Sequence, residues 1–245
     1  MSEINRSKIA KYFNPFPTWT IAFIVIGILL VAVKGIGLIP LIIGGIGLFV
    51  YYSGRATDQE MDAWLEEELR GLDAKAIQKV GFDKSDAVAE PVAVWGPRVD
   101  KTGGRPFQIK TGKDGTIRYN PLDVSILNFG ANQLVGYQCS YDRFSGNCLQ
   151  EETDEYFYKD VVSVATKTDS EVRDIAVGKK TVEHIKLNNS EMFILTTSGG
   201  TAIKVTIQAE GLLALKSTKG GKMPTSQAEK AVATVRRMLR DKKAT

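Results

Sequence analysis

Between Pro17 and Tyr52 the chain runs for 36 residues with one charged side chain, Lys34. Such a stretch is too long and too apolar to be an ordinary surface element, and it constrains everything that follows it. A secretory signal does not fit: no small-residue cleavage site closes the run, and the chain stays apolar after the lysine. A single helix of this length would span about 54 Å at roughly 1.5 Å per residue, far more than a hydrocarbon core of about 30 Å. Two helices fit better, Thr18 to Val33 and Leu38 to Tyr52, joined through Lys34-Gly35-Ile36-Gly37. Each is short for a span, so local thinning or close packing is expected.

The flanks orient this hairpin. Arg6, Lys8 and Lys11 precede it and Arg55 follows it, against Lys34 alone in the connection. The positive-inside rule then puts both ends on the cytoplasmic side. Phe16 and Trp19 fall at the same membrane face as Phe49, Tyr51 and Tyr52, an expected interfacial belt. Gly27, Gly44, Gly45 and Gly47 are small enough for close helix approach, and packing of the hairpin on itself is favoured over oligomerisation. No acid lies in the segment, so it offers no side chains for a proton or cation path. The expected location is a cytoplasmic membrane.

Helix-start chemistry follows at once. Thr57-Asp58-Gln59-Glu60 reads as a capping box. Met61, Trp64, Leu65, Leu69 and Leu72 recur at helical spacing beside Glu66, Glu67 and Glu68. Gly71 is expected to interrupt this helix, with a second short one from Asp73. Its acids would be repelled by anionic lipid, so it is expected to pack on protein or stand off the surface. Val88 to Trp95 reads as a strand ended by Gly96-Pro97. Residues 100 to 116 read as Gly/Lys-rich loops, without the Walker spacing that a phosphate loop requires.

From Ile117 short alternating runs are separated by turn residues. Expected strands cover Leu122–Ile126, Gln133–Tyr141, Glu155–Thr166 with a bend at Lys159-Asp160, Val182–Leu187, Met192–Thr197 and Ala202–Gln208. Thr168 to Lys180 reads as a long polar loop. On an unbroken strand Tyr156, Tyr158, Val162 and Val164 would share one face and Phe157, Val161 and Ala165 the other. Near the C-terminus Ser226 and Glu229 form a second capping box. Ala228, Val232, Val235 and Leu239 then make the apolar stripe of an amphipathic helix, its far end loaded with Arg236, Arg237, Arg240, Lys242 and Lys243.

The stretch LNFGANQLVGYQCSYDRFSG, followed by EYFYKDVVSV, resembles the bacterial pleckstrin-homology-like (PH-like) and GRAM-like domains. The shared features are a strand, a short turn, a second strand opening on Gln133-Leu134, and the run Tyr158-Lys159-Asp160-Val161-Val162-Ser163-Val164. FILTTSGGTAIKVTI is similar to the closing hairpin of the same fold. The resemblance covers residues 117 to 243 and implies a binding platform rather than an enzyme. Together with the apolar run and the capped helix after it, the resemblance makes the expected fold an α+β protein of a bacterial inner membrane: a helical hairpin, an acidic juxtamembrane helix, and an antiparallel β-barrel closed by the C-terminal helix. The expected divisions are an N-terminal segment 1–16, the hairpin 17–53, a helical region 55–80, a strand with loops 81–116, and the PH-like domain 117–245. Phosphoinositide-binding members carry cations at the turn between their first two strands. Here that turn is Gly130-Ala131-Asn132, so headgroup recognition of that kind is not carried over.

No catalytic, cofactor or metal site is expected. His184 is the only histidine, which removes a His-rich metal site and ties any Ser-His-Asp arrangement to one strand position. No G-x-S-x-G elbow is present. Two cysteines, Cys139 and Cys148, make no disulfide framework, and a reduced pair is favoured, with a redox role left open. Expected partners are membrane lipids and a protein partner or a second copy of the chain; nucleic acid and small-molecule substrates are not expected. Arg143 and Phe144, at a hairpin tip, are the candidate partner contact. Lys110, Lys113 and Arg118, with Arg236, Arg237, Arg240, Lys242 and Lys243, are the candidate contacts to anionic lipid. The chain therefore reads as a membrane-anchored scaffold, with lipid recognition or remodelling, or an accessory role in a transporter or channel, as alternatives.

Overall fold

The computed structural model of the chain describes residues 3–34, 36–98, 107–170, 173–177, 183–187, 189–213, 220–225 and 227–243. It divides into two compact units, Met1–Met61 and Asp62–Thr245.

In the first unit helix α1 (Arg6–Tyr12) starts at Asn5, whose side chain accepts the Lys8 amide proton at 3.0 Å. Helices α2 (Thr18–Lys34) and α3 (Leu38–Ser53) match the expected hairpin to within a residue at each end. They pack on each other because glycines remove the intervening side chains. A Cβ at Gly27 would stand 2.6 Å from Leu41 Cγ, and one at Gly44 would stand 2.6 Å from Ile24 Cγ1. Gly47 meets Thr20 and Trp19 in the same way, whereas Gly45 has nothing within 4 Å and takes no part. The stretch Leu38–Val80, which is α3 continued by α4 across a break at residues 54–57, is long and apolar enough to cross a membrane; Thr18–Val31 is a shorter apolar helix.

The turn of chain after α3 is tied back to α1. Tyr12 donates its hydroxyl to Asp58 Oδ1 at 2.7 Å, Lys8 Nζ donates to Glu60 Oε1 at 3.3 Å, and the Ala56 amide donates to the Lys8 carbonyl. Thr57 and Glu60 form the expected capping box: the Thr57 amide donates to Glu60 Oε2 at 2.7 Å and the Glu60 amide to Thr57 Oγ1 at 3.1 Å. Helix α4 (Asp58–Val80) starts there. It runs unbroken through Gly71, contrary to expectation. A Cβ at Gly71 would meet nothing within 4 Å, so the residue costs only its helix propensity, about 1 kcal/mol. Burial of Leu72 and Ala76 on the opposite side offsets that cost.

The second unit is built on two antiparallel sheets. One has the order β1-β4-β5-β6, from β1 (Ala89–Pro97), β4 (Leu122–Phe129), β5 (Gln133–Asp142) and β6 (Asn147–Phe157). The other has the order β11-β10-β7, from β7 (Val161–Asp169), β10 (Ser190–Thr197) and β11 (Ala202–Ala209). Two hairpins are inserted, β2 (Gln108–Thr111) with β3 (Ile117–Asn120), and β8 (Arg173–Val177) with β9 (Glu183–Leu187). Strand β9 falls on an expected strand, whereas β2 and β8 lie where loops were expected. Those two are four and five residues long and give too short an alternation to stand out from polar loop sequence.

The expected closed barrel is not formed: among the described residues no ladder joins β6 to β7 or β1 to β11. Instead β1 comes up against β11 at Gly96, where a Cβ would lie 1.6 Å from the Thr206 carbonyl oxygen. Only a residue without a side chain permits that approach. The turn Tyr158–Asp160 carries the chain from the first sheet to the second, as the bend at Lys159-Asp160 leads one to expect. The Ser198 amide there donates to the Asp160 backbone carbonyl at 2.7 Å.

The first sheet is covered on both faces, which explains why β4 is buried almost throughout. Leu127, Phe129, Leu134 and Tyr156 face Phe193, Leu195, Ile203 and Val205 of the second sheet. Val124, Ile126, Tyr137 and Tyr141 face the other way, toward Leu72 and Ala76 of α4 and toward Phe107, Ile117 and Tyr119. A short helix α5 (Glu210–Leu213) follows β11, and α6 (Ala228–Lys243) then lays Ala228, Ala231, Val232, Val235 and Met238 into the first of these cores. Ser226, the expected cap of α6, lies outside the described residues.

Candidate functional site

Of the aromatic residues expected at one membrane face, Phe16, Tyr51 and Tyr52 are in ring contact with one another. The Phe16 and Tyr51 rings meet edge to face at 5.3 Å, as do Tyr51 and Tyr52 at 5.1 Å. Arg55 donates to the Tyr51 hydroxyl at 2.7 Å and lies over the rings of Tyr12 and Tyr51 at 5.3 and 5.0 Å. Trp19 packs on Phe23, and Phe49 is 72% exposed. Within the first unit the outer surfaces of α2 and α3 stay uncovered: Leu29 is 64% and Ile39 66% exposed, and Ile21, Ile26, Ile28, Ile42 and Ile46 are exposed too. A groove of about 550 Å³ lined by Lys11, Asn14, Trp19, Ile46, Val50 and Tyr51 opens on this apolar surface.

The hairpin tip proves to be a buried polar lock. Arg143, expected to be exposed, is 2% exposed, and Phe144 is half-buried. Arg143 Nε donates to Glu68 Oε2 of α4 at 2.7 Å, with both side chains shut off from solvent. The Arg143 amide donates to Asn120 Oδ1 at 2.7 Å, Asn120 Nδ2 to Asp142 Oδ1 at 2.9 Å, and Ser145 Oγ to Asp142 Oδ2 at 2.9 Å. A buried charge persists only when paired and hydrogen-bonded. The helical spacing of Glu68 carries no sign that it would be that partner, because its neighbours Glu66 and Glu67 are ordinary surface acids.

Arg118 is likewise buried rather than presented to lipid. Its guanidinium donates to Asp62 Oδ1 and Oδ2 at 2.8 and 2.6 Å and to Asp114 Oδ1 and Oδ2 at 3.1 and 2.8 Å. Bonding to Arg118 holds the Asp114 carboxyl well below the usual carboxylate range. Lys110 is half-buried and Lys113 exposed. On α6, Arg236, Arg237, Arg240 and Lys242 are exposed on the side opposite the apolar stripe, with Arg236 Nη2 reaching the Val164 carbonyl at 3.4 Å. The side chains of Lys243 and His184 lie outside the described residues. The expected basic surface therefore reduces to the α6 row and Lys113.

The tyrosine-rich turn is structural. Tyr158 donates to the Gly130 carbonyl at 3.1 Å and Tyr156 to Asp154 Oδ2 at 2.9 Å. Burial raises both phenols, Tyr158 to about 12. The faces differ from the unbroken-strand expectation: Val161 is fully buried and Val162 is 59% exposed. The turn, together with a bulge opposite Thr196 and Thr197 that leaves Val162 unpaired, resets the phase so that Val161 and Val164 both point inward.

Two further constellations bring together partners that were not foreseen from sequence, apart from the pair Cys139 and Cys148. A polar groove of about 510 Å³ is lined by Arg98, Asp123, Gln138, Ser140, Gln150 and Lys204 among others. Arg98 Nη2 donates there to Gln150 Oε1 at 2.7 Å. On the opposite face of the sheet Tyr137, Cys139, Cys148 and Glu151 meet Lys75 and Lys79 of α4. Lys75 Nζ donates to Glu151 Oε1 at 2.7 Å, Lys79 pairs with Glu151 Oε2, and the Tyr137 hydroxyl lies 3.2 Å from both Glu151 Oε2 and Cys148 Sγ. Lys75 and Lys79 pull the Glu151 carboxyl down to about 2. Among the described residues no group of three His, Cys, Asp or Glu side chains is placed to hold a metal ion. No family model, curated protein or solved structure matches the chain.

Proposed function

We propose that the chain is a membrane-anchored, non-enzymatic scaffold or adaptor, whose PH-like second unit binds a protein partner or another copy of itself. The observation that carries this is the exposed apolar surface of α2 and α3, too continuous for a surface meant for water. It is bordered by the Phe16, Tyr51 and Tyr52 cluster and by Arg55. In this reading α2 and α3 span the bilayer as a hairpin with both ends cytoplasmic. The bonds from Tyr12 and Lys8 to Asp58 and Glu60 support that arrangement, since they join the segments flanking the hairpin. The sheet orders β1-β4-β5-β6 and β11-β10-β7 followed by α6 support the PH-like assignment. Purification of the full chain in mild detergent, followed by mass measurement, tests the adaptor role. The expected result is two or more copies, or one copy with a co-purified protein; a lone chain in its micelle counts against it. A stable membrane partner in the same preparation would instead mark an accessory subunit of a transporter or channel.

The exposed cations of α6 favour a second reading, recognition of anionic lipid. It expects residues 55–245 to bind vesicles containing phosphatidylserine in a salt-sensitive manner. Glutamate at Arg236, Arg237 and Arg240 should then abolish the binding, and no binding by the unaltered segment at low ionic strength would exclude this reading.

A further inference from the structure

From sequence Cys139 and Cys148 read as a reduced pair, but their surroundings are not those of inert thiols. The β5–β6 ladder pairs Ser140 with Gln150 and Tyr141 with Cys148, leaving Leu149 as an extra residue. That bulge brings Cys148 into the row occupied by Cys139, on the sheet face that meets α4. Cys139 is buried and Cys148 partly exposed, and no disulfide joins them. The Tyr137 hydroxyl, 3.2 Å from Cys148 Sγ, is also 3.2 Å from Glu151 Oε2. It has one proton to give, and Glu151 is already served by Lys75 and Lys79. The hydroxyl is therefore free to turn to a Cys148 thiolate.

We propose that Cys148 and Cys139 form a reversible thiol–disulfide switch, with Cys148 as the thiolate that reacts with a hydroperoxide and Cys139 as the thiol that resolves it. In the first step Cys148 Sγ attacks the peroxide O–O bond and becomes a sulfenic acid, while the leaving oxygen is protonated from solvent to an alcohol or water. In the second step Cys139 Sγ attacks that sulfur and the S–S bond forms. The hydroxide released takes the Cys139 proton and leaves as a second water. Two thiols are oxidised by two electrons and one peroxide is reduced, so the balance closes.

The electrostatics agree with this order of events. Hydrogen bonding from Cys139, then from Tyr137, and the charge of Lys75 lower the Cys148 thiol, against opposing effects of burial and Glu151. The neighbouring Cys148, and burial, push Cys139 up. Once Cys148 is a neutral sulfenic acid its charge no longer opposes ionisation of Cys139. A disulfide here would link β5 to β6 on the face that α4 covers, beside the Lys75–Glu151 contact.

The test is treatment of the full chain in detergent with hydrogen peroxide at pH 6, read by free-thiol titration and intact mass. The expected product is an intramolecular disulfide: two thiols lost, a mass lower by about 2 Da, and recovery with dithiothreitol. Cys139→Ser should stop at a sulfenic acid that dimedone traps, and Cys148→Ser should keep its remaining thiol. At pH 6 the lowered Cys148 thiol holds a larger thiolate fraction than an unperturbed cysteine, and its lower nucleophilicity takes back only part of that gain. The folded chain should therefore react faster than the chain unfolded in guanidinium. The switch is overturned by any of three results: both thiols of the folded chain persist, the product is sulfinic acid without a disulfide, or folded and unfolded chains react at equal rates.

Discussion

Replacing Glu68 with alanine removes the carboxylate from a guanidinium that remains buried. Arg143 holds it at 2.7 Å, the two side chains being 2% and 0% exposed. Breaking a buried ion pair from one side costs about 3–5 kcal/mol, because the guanidinium loses this carboxylate and cannot regain water in its place. For a unit of this size each kcal/mol lowers the melting temperature by about 2–4 °C. Glu68→Ala should therefore lower the thermal midpoint of the β-sheet circular dichroism signal by about 6–20 °C, in the full chain in detergent. The double variant Glu68→Met/Arg143→Met removes both charges and fills the space with apolar atoms. It should regain most of the loss, as replacement of a buried pair by packed apolar side chains is often neutral. A single variant within about 2 °C of the parent would overturn this expectation. So would a double variant no better than the single one.

The bulge in β7 makes a sharp contrast between neighbours. Val161→Asp should cost about 3 kcal/mol or more by burying a charge, whereas Val162→Asp should stay within about 0.5 kcal/mol; denaturant midpoints of the two variants decide it, and equal losses would contradict the inward assignment of Val161. Glu151 predicts an acid limb. Its carboxyl lies below the ordinary value of 4.5, at about 2. Its contribution is therefore present above pH 4.5 and lost as pH falls toward 2. Glu151→Gln should flatten the stability profile in that window, and an unchanged slope would remove the Lys75–Lys79 clamp from the account.

Elements whose physics is local are legible in the sequence itself. The apolar run from Pro17 to Tyr52 declares its helices by length and composition, and Thr57 and Glu60 declare the start of α4 by the chemistry of orphan amides. The alternation of Ile203, Val205 and Ile207 declares β11, and the stripe through Val232 and Val235 declares α6. What stays hidden depends on partners distant in sequence. Glu68 looks like its neighbours until Arg143, 75 residues away, is seen beneath it. Arg118 reads as a loop cation until Asp62 and Asp114 close on it. Gly71 carries a local signal that points the wrong way, because burial along the other side of α4 outweighs its propensity. A single extra residue in β7 exchanges the exposure of Val161 and Val162, and alternation counted along a strand cannot register it.

In the proposed arrangement α2 and α3 hold the chain in a bilayer with both flanks on one side. Single cysteines placed at Ser7 and Ser53 in a background with Cys139→Ser and Cys148→Ser, probed with a membrane-impermeant maleimide in sealed vesicles, test it directly. The chain should stay in the membrane after alkaline carbonate extraction, and both positions should be labelled from the same side. Release into the soluble fraction, or labelling of the two positions from opposite sides, would contradict it.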